Sequence, residues 1–166
     1  LEELIELAFQ KSPLPILVAL DSIQDPQNLG AIIRSAEALG IHGIVLPKNR
    51  TSAINETVAK CSSGAIEYLP IAWVTNLTRG IEQLKKAGFW IAGIVPDGNT
   101  PCYQHKFDAP MVLVIGGEEK GIRPLLKKSC DVTLKIPMEG SLGSLNASAA
   151  AAVIFYETLR QKNIRS

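Results

Sequence analysis

An α/β fold, with a mainly parallel sheet and helices on both faces, is what this sequence predicts, and three observations carry the expectation. Continuous apolar runs of strand length recur along the chain, as they do in strands buried on both faces. Helical patterns lie between them, the clearest closed by glycine. The 166 residues, 46% of them hydrophobic, suffice for one well-buried core and are too few for two.

Residues 1–12 read as a short amphipathic helix or linker, with Leu4, Ile5 and Ala8 at helical spacing before a break at Ser12, Pro13 and Pro15. The domain proper is expected to run over 13–166. Ile16–Leu20 (ILVAL) is the first strand run, and the pattern Asn28–Leu39 is the first helix, with Asn28 a candidate N-cap and Gly40 at the C′ position. Gly43–Leu46 is the second strand run, and Glu67–Leu69 a weaker one. A helix is expected over Leu77–Ala87, capped by Asn76 and closed by Gly88. Phe89–Val95, Met111–Ile115 and Val132–Ile136 are further strand runs, and a long C-terminal helix spans about Leu145 to Lys162. This alternation argues for parallel strands joined by helical crossovers.

Composition excludes several classes. Charged residues make up 20% of the chain without long same-sign runs, which argues against disorder. No apolar run approaches the roughly 18 to 20 residues that span a bilayer, so a soluble cytoplasmic protein with no membrane partner is expected. Cys61, Cys102 and Cys130 form no C-x-x-C pair and have only His42 and His105 as imidazole partners. A disulfide framework and a structural metal are therefore not expected, and each thiol is read as a small buried hydrophobe. Net charge is only +1, little for a chain that would hold nucleic acid. Local clusters, Lys48, Arg50 and Lys60 or Arg123, Lys127 and Lys128, would have to offset it, or a separate RNA-binding domain N-terminal to a chain that opens on Leu1 rather than Met.

In open α/β sheets ligands sit beyond the carboxyl ends of the strands, and four loops there are unusual. After Leu20 comes DSIQDPQNLG, leading into a helix whose Leu29, Ile32, Ile33 and Ala36 face inward while Arg34 lies on another face. Arg34 is then either a solvated side chain or a guanidinium above the strand ends, able to hold a phosphate or ribose oxygen. After Val95 comes PDGNTP. After Ile115 comes GGEEKGIRP, which matches neither a dinucleotide fingerprint nor a phosphate-binding P-loop but sets Glu118 and Glu119 directly after a buried strand. After Ile136 comes PMEGSLGSLNAS, in which Gly140 and Gly143 permit close backbone approach and Ser144 could cap a helix or contact a phosphate.

Together, DPQNLGAIIRSAEALG, VLVIGGEEKGIRP and IPMEGSLGSLNASAAAAVIFYE resemble the three ordered motifs of the SpoU (TrmH) family of RNA ribose 2′-O-methyltransferases, over about residues 16 to 162. The stretches KCSSGA and NLTRGIEQLKKAGFW also resemble its 23S rRNA guanosine 2′-O-methyltransferase (RlmB) branch. The resemblance implies a SPOUT fold with a C-terminal deep trefoil knot, a homodimer, S-adenosylmethionine held in the knot without any metal, and RNA, in particular 23S rRNA, as substrate. It implies catalytic and substrate-binding roles for Asn28, Arg34, Glu118, Ser144 and Asn146. Gly116, Ile136 and Leu145, with Ile115 and Ser141 in the same segments, are the implied cofactor-binding residues, and Ile94 to Gly98 would add another wall. Ala147 departs from the valine common in the family. Guanidinium stays protonated, so Arg34 is expected to stabilise a developing alkoxide rather than take its proton. A tRNA or antibiotic-resistance rRNA methyltransferase, or a catalytically silent RNA-binding homologue, are the alternatives.

Overall fold

In a computed structural model, residues 1–165 are described; Ser166 lies outside them. Five of the apolar runs become strands β1 (Ile16–Asp21), β2 (Gly43–Pro47), β4 (Trp90–Ile94), β6 (Met111–Gly116) and β7 (Val132–Lys135), and two strands the sequence did not lead us to expect, β3 (Ile71–Val74) and the two-residue β5 (Thr100–Pro101), join them. They pair in one sheet in the order β3-β2-β1-β6-β4-β7-β5, and each pairing is parallel. The longest register joins β1 to β6, from Ile16 against Met111 to Asp21 against Gly116. Parallel strands need crossovers, and α2 (Pro26–Ala38), α3 (Glu56–Ser62), α4 (Leu77–Lys86) and α5 (Pro124–Lys128) lie within them, while α1 (Glu2–Lys11) precedes the first strand and α6 (Ala147–Arg165) follows the last.

Alternate residues of each strand serve opposite faces of the sheet. Val18, Leu20, Ile44, Leu46, Leu113 and Ile115 pack with α2, α3 and the first half of α6, where Phe155 is fully buried. Leu17, Ala19, Val45, Val112 and Val114 pack with α1, α4 and α5. Burial on both faces explains why these strands read as continuous rather than alternating apolar runs. Among the described residues no helix is long and apolar enough to cross a membrane.

Several boundaries differ from expectation. Asn28 is not the N-cap of α2: the helix starts two residues earlier at Pro26, and Asp25 caps it by accepting from the Gln27 N–H at 3.1 Å. Proline suits the first helical position, where no N–H bond is lost. Glu67–Leu69 is not a strand. Left-handed Ser63 and Gly64 turn the chain into a short 3₁₀ helix, Ala65–Glu67, that directs Ala65 and Leu69 to the core, and the strand begins beyond Pro70. Ser144 caps nothing; α6 begins at Ala147 and Asn146 caps it, its Oδ1 accepting from Ser148 N–H and Ala149 N–H at 2.9 and 3.2 Å. Asn76 caps α4, and Gly40 and Gly88 adopt the positive φ expected after α2 and α4. Cys102 is buried as expected, whereas Cys61 and Cys130 are half-buried. Burial pushes the Cys130 thiol up to about 11, so it stays protonated and inert.

At the amino end of the sheet, the Ile16 N–H donates to His42 Nδ1 at 3.0 Å while the His42 N–H donates to the Ile16 carbonyl at 2.8 Å. The imidazole accepts only when Nδ1 carries no proton. Burial lowers the pKa of His42 and of His105 below the ordinary 6.5, so the unfolded chain takes up these protons first as pH falls. Stability should be fully present above pH 6.5 and decline as pH drops through and below it toward the folded-state values. Thermal melts between pH 7.5 and 5 should show a falling Tm, with a shallower fall in His42→Asn; an equal slope in that variant would rule His42 out as a cause.

Candidate active site

The carboxyl ends of β1, β4, β6 and β7 converge on two adjoining depressions. The first is a cleft of about 670 Å³, open mouth included, walled by Ile94, Val95, Ile136, Met138 and Leu145 and floored by the main chain of Ile115, Gly116 and Gly117. Among the described residues, Glu118 is the one charged side chain that lines it. The second is a polar groove bordered by the loop after β1, the start of α2 and the loop after β6, and it shares Gly117, Glu118 and Ala147 with the cleft.

A three-residue cluster stands where they meet. Asn146 Nδ2 donates to Asn28 Oδ1 at 3.0 Å and makes a short bond to Glu118 Oε1. Glu118 Oε1 also accepts from Asn28 Nδ2 and from the Ala147 N–H, each at 3.4 Å. Asn146 therefore has two tasks, since its Oδ1 caps α6 while its amide nitrogen grips Glu118. The carboxylate sits against the first N–H of a 19-residue helix, where the helix dipole favours negative charge.

Glycine backbone lets the Glu118 loop fold so tightly. A Cβ on Gly116 would fall 2.1 Å from the Gly121 carbonyl carbon and 2.3 Å from the Ile122 nitrogen, and one on Gly117 would fall 2.4 Å from the Ser22 oxygen. The loop closes with Gly121 N–H donating to the Gly117 carbonyl at 2.8 Å, and Gly121 holds φ at +59°. Asp21, fully buried at the end of β1, anchors its far side, accepting from the Arg123 N–H at 2.9 Å and from Arg123 Nε at 2.8 and 3.2 Å. Across the cleft, Lys127 donates to both oxygens of Asp97 at 3.0 and 2.9 Å, and this ammonium holds the Asp97 carboxyl below its usual range. That pair steadies the turn after Val95.

With this geometry in view, the relatives are informative. A sequence profile described as the SpoU rRNA Methylase family matches residues 15–156. The chain belongs to that family. An uncharacterized tRNA/rRNA methyltransferase of Synechocystis is 49% identical over 162 residues, 98% of this chain and 42% of the relative. The 23S rRNA (guanosine-2′-O-)-methyltransferase RlmB of Pseudomonas aeruginosa is 42% identical, over 98% of this chain and 64% of its own length. This chain thus spans roughly two fifths to two thirds of such relatives. Among solved structures, the SpoU methyltransferase AviRb of Streptomyces viridochromogenes in complex with AdoMet superposes with a TM-score of 0.83 at 33% identity, covering 90% of this chain and 58% of that one. The A. aeolicus TrmH/SpoU tRNA modifying enzyme gives 0.82 at 26%, covering 99% and 83%. The parallel sheet with helices on both faces is the SPOUT architecture of these SpoU structures, and they imply the C-terminal knot.

The SpoU motifs meet as the sequence led us to expect, with exceptions. Asn28, Glu118 and Asn146 join in the cluster, and Ile115, Gly116, Ile136, Ser144 and Leu145 line the cleft. Arg34 does not come to the site: it is exposed on α2 and borders neither depression. Ser141 is exposed in the loop before α6 and lines neither. Of Ile94 to Gly98, the first three residues wall the cleft, but Gly98 packs on β7, where a Cβ would lie 2.5 Å from the Leu134 carbonyl carbon. Sequence reading missed Asp21, Met138 and Ala150. A charged residue closing an otherwise apolar strand was the available signal for Asp21.

Gly116 is thus demanded by loop closure, with protein backbone filling the space a side chain would need. Gly116→Ala should cost about 1–3 kcal/mol by overpacking, read as a lower denaturation midpoint, whereas Gly140→Ala, where a Cβ meets nothing within 4 Å, should be close to neutral. Equal stabilities for the two would contradict the closure argument.

Proposed function

We propose that this SpoU chain catalyses S-adenosylmethionine-dependent methylation of a ribose 2′-hydroxyl in RNA, with a guanosine of 23S rRNA as the target. The observation that carries the reading is the junction of an apolar, glycine-floored cleft with a polar groove at one fixed carboxylate, Glu118. The cleft fits an adenosyl sulfonium rather than a phosphorylated nucleotide, for among the described residues no lysine or arginine lines it and Glu118 does. Ile136, Met138 and Leu145 would pack the adenine, and main-chain groups of Ile115 to Gly117 would bond its polar edges. S-adenosylmethionine supplies the electrophilic methyl group when bound.

The chain's own residues must align the hydroxyl and manage its proton. Glu118 Oε1 is taken up by Asn28, Asn146 and Ala147, while Oε2 makes none of those bonds and is the oxygen that can accept from a ribose hydroxyl. Ser144, at the cleft rim, would hold the RNA. Arg34 would stabilise the developing alkoxide. As it borders neither depression of its own chain, a second copy would have to bring a guanidinium there, which fits the homodimer in this proposal. Residues 13–166 would form the methyltransferase domain and residues 1–12 its leading helix, and a separate RNA-binding domain would supply affinity that a net charge of +1 does not. The RlmB relative favours ribosomal RNA over tRNA.

Incubation with methyl-labelled S-adenosylmethionine and separate pools of unmethylated ribosomal RNA and tRNA tests the reading. Label should enter the ribosomal pool; entry into tRNA alone would overturn the target, and no entry into either would overturn the activity. Arg34→Ala should lower turnover by about 100-fold or more with cofactor affinity unchanged by calorimetry, and Arg34→Lys should fail comparably because an ammonium lacks the planar fork. Full turnover in both variants would remove Arg34 from the mechanism.

A further inference from the structure

Two basic clusters stand out in the sequence, and the structure draws one arginine from each into the polar groove. Lys60 is spent on Glu56 at 2.6 Å and Lys127 on Asp97 at 2.9 Å, both away from it. Arg50, in the loop after β2, and Arg123, after β6, both line the groove, together with Lys120. The groove measures about 1220 Å³, open mouth included, and its wall continues into Glu118.

Arg123 is held as an oriented cation. Its backbone N–H and Nε are committed to the fully buried Asp21 carboxylate. Neither terminal guanidinium nitrogen takes part in those bonds, and about a third of the side chain, 35%, is exposed to the groove side of the loop. A buried carboxylate that fixes one edge of a guanidinium leaves the other edge aimed outward, the arrangement that binds phosphate bidentately at little entropic cost. Arg50 holds φ at +66°, a left-handed backbone that is uncommon outside glycine and asparagine. Ser52 N–H donates to the Ile23 carbonyl at 2.9 Å and so pins the Arg50 loop to the groove's opposite margin. Neither Arg50 nor Lys120 forms an ion pair among the described residues. Of the groove's three carboxylates, Glu118 is turned to Asn28 and Asn146 and Asp25 caps α2, while Glu119 is exposed beside Lys120, so the three cations Arg50, Lys120 and Arg123 face one carboxylate that no helix cap or site bond engages.

Substrate chemistry supplies the other half of the argument. A 2′-hydroxyl in RNA is borne on the carbon next to the one that carries the 3′-phosphodiester, so a ribose presented to Glu118 brings a phosphate into its immediate surroundings. We propose that Arg50 and Arg123, aided by Lys120, form the site for that backbone phosphate, with Asp21 as the residue that positions Arg123. This rests on the RNA-methyltransferase reading of the same site. Such contacts fix the register of the nucleic acid without reading its bases.

The test measures binding of a fluorescein-labelled, mixed-sequence single-stranded RNA by anisotropy across a salt series, beside methyl incorporation into ribosomal RNA. Arg50→Gln, an exposed change, and Arg123→Gln should each weaken RNA binding about tenfold and make the log–log salt slope shallower by about one. The KM for RNA should rise while S-adenosylmethionine affinity by calorimetry stays at the wild-type value. Arg123→Lys should recover part of the loss if its charge matters, and Lys86→Gln, at the other end of the sheet, should behave as wild type. Wild-type salt slope and KM in Arg50→Gln and a folded Arg123→Gln, with methylation intact, would overturn the phosphate site and leave the activity standing. Wild-type protein that neither binds RNA nor methylates it would overturn the activity and the site together.

Discussion

Two segments far apart in the chain are bound to one oxygen atom of a third. Glu118 Oε1 draws together Asn28 at the start of α2, Asn146 before α6, and the first N–H of α6 itself. Without that junction the cleft and the groove would be two unrelated depressions, because the only side chain common to both with a charge is the glutamate. Everything around it serves to hold the carboxylate still. Gly116 and Gly117 admit the backbone crossing, Asp21 and Arg123 fasten the far side of the loop, and Asn146 spends one end of its amide on the helix and the other on the site. The residue remains exposed, so these amide and backbone donors, rather than burial, orient the carboxylate.

Much of this was legible in the sequence, and the reasons are physical. Strands buried on both faces must be apolar throughout, so ILVAL and MVLVI announced a parallel sheet directly. Helix ends were marked by Asn76, Gly40 and Gly88, since capping and positive φ select few residue types. The three motifs lie on loops after β1, β6 and β7, and a parallel sheet brings such loops to one edge. The misreadings are of a different kind. Asn28 and Ser144 were each plausible caps by residue type, but Asp25 and Asn146 took those roles, and this freed Asn28 for Glu118. Local chemistry nominates several cap candidates, and tertiary contact chooses among them. The strand expected at Glu67–Leu69 failed because left-handed Ser63 and Gly64 redirect the chain, a backbone property that hydrophobicity does not encode. Arg34 illustrates the remaining limit, for its position in a motif did not say which surface it would face.

Net charge looked like an argument against RNA, and the structure changes how that number is understood. A sum over the chain says little when most lysines are paired or dispersed. What bears on binding is the convergence of Arg50, Arg123 and Lys120 on a groove where two of the three carboxylates, Asp25 and Glu118, are already engaged. The cleft beside it has the opposite character, apolar and lined by no cation among the described residues, so the two ligands of a methyl transfer would be separated by chemistry before they meet at Glu118. Intervening loops and an all-parallel sheet, rather than bulk composition, produce that division.

The central claim is that the group methylated is a ribose hydroxyl, and alkali tests it most directly. Phosphodiester cleavage by base requires a free 2′-hydroxyl, so RNA labelled by this protein from methyl-labelled S-adenosylmethionine should release its label in alkali-resistant dinucleotides. Label released in mononucleotides would place the methyl group on a base and contradict the account.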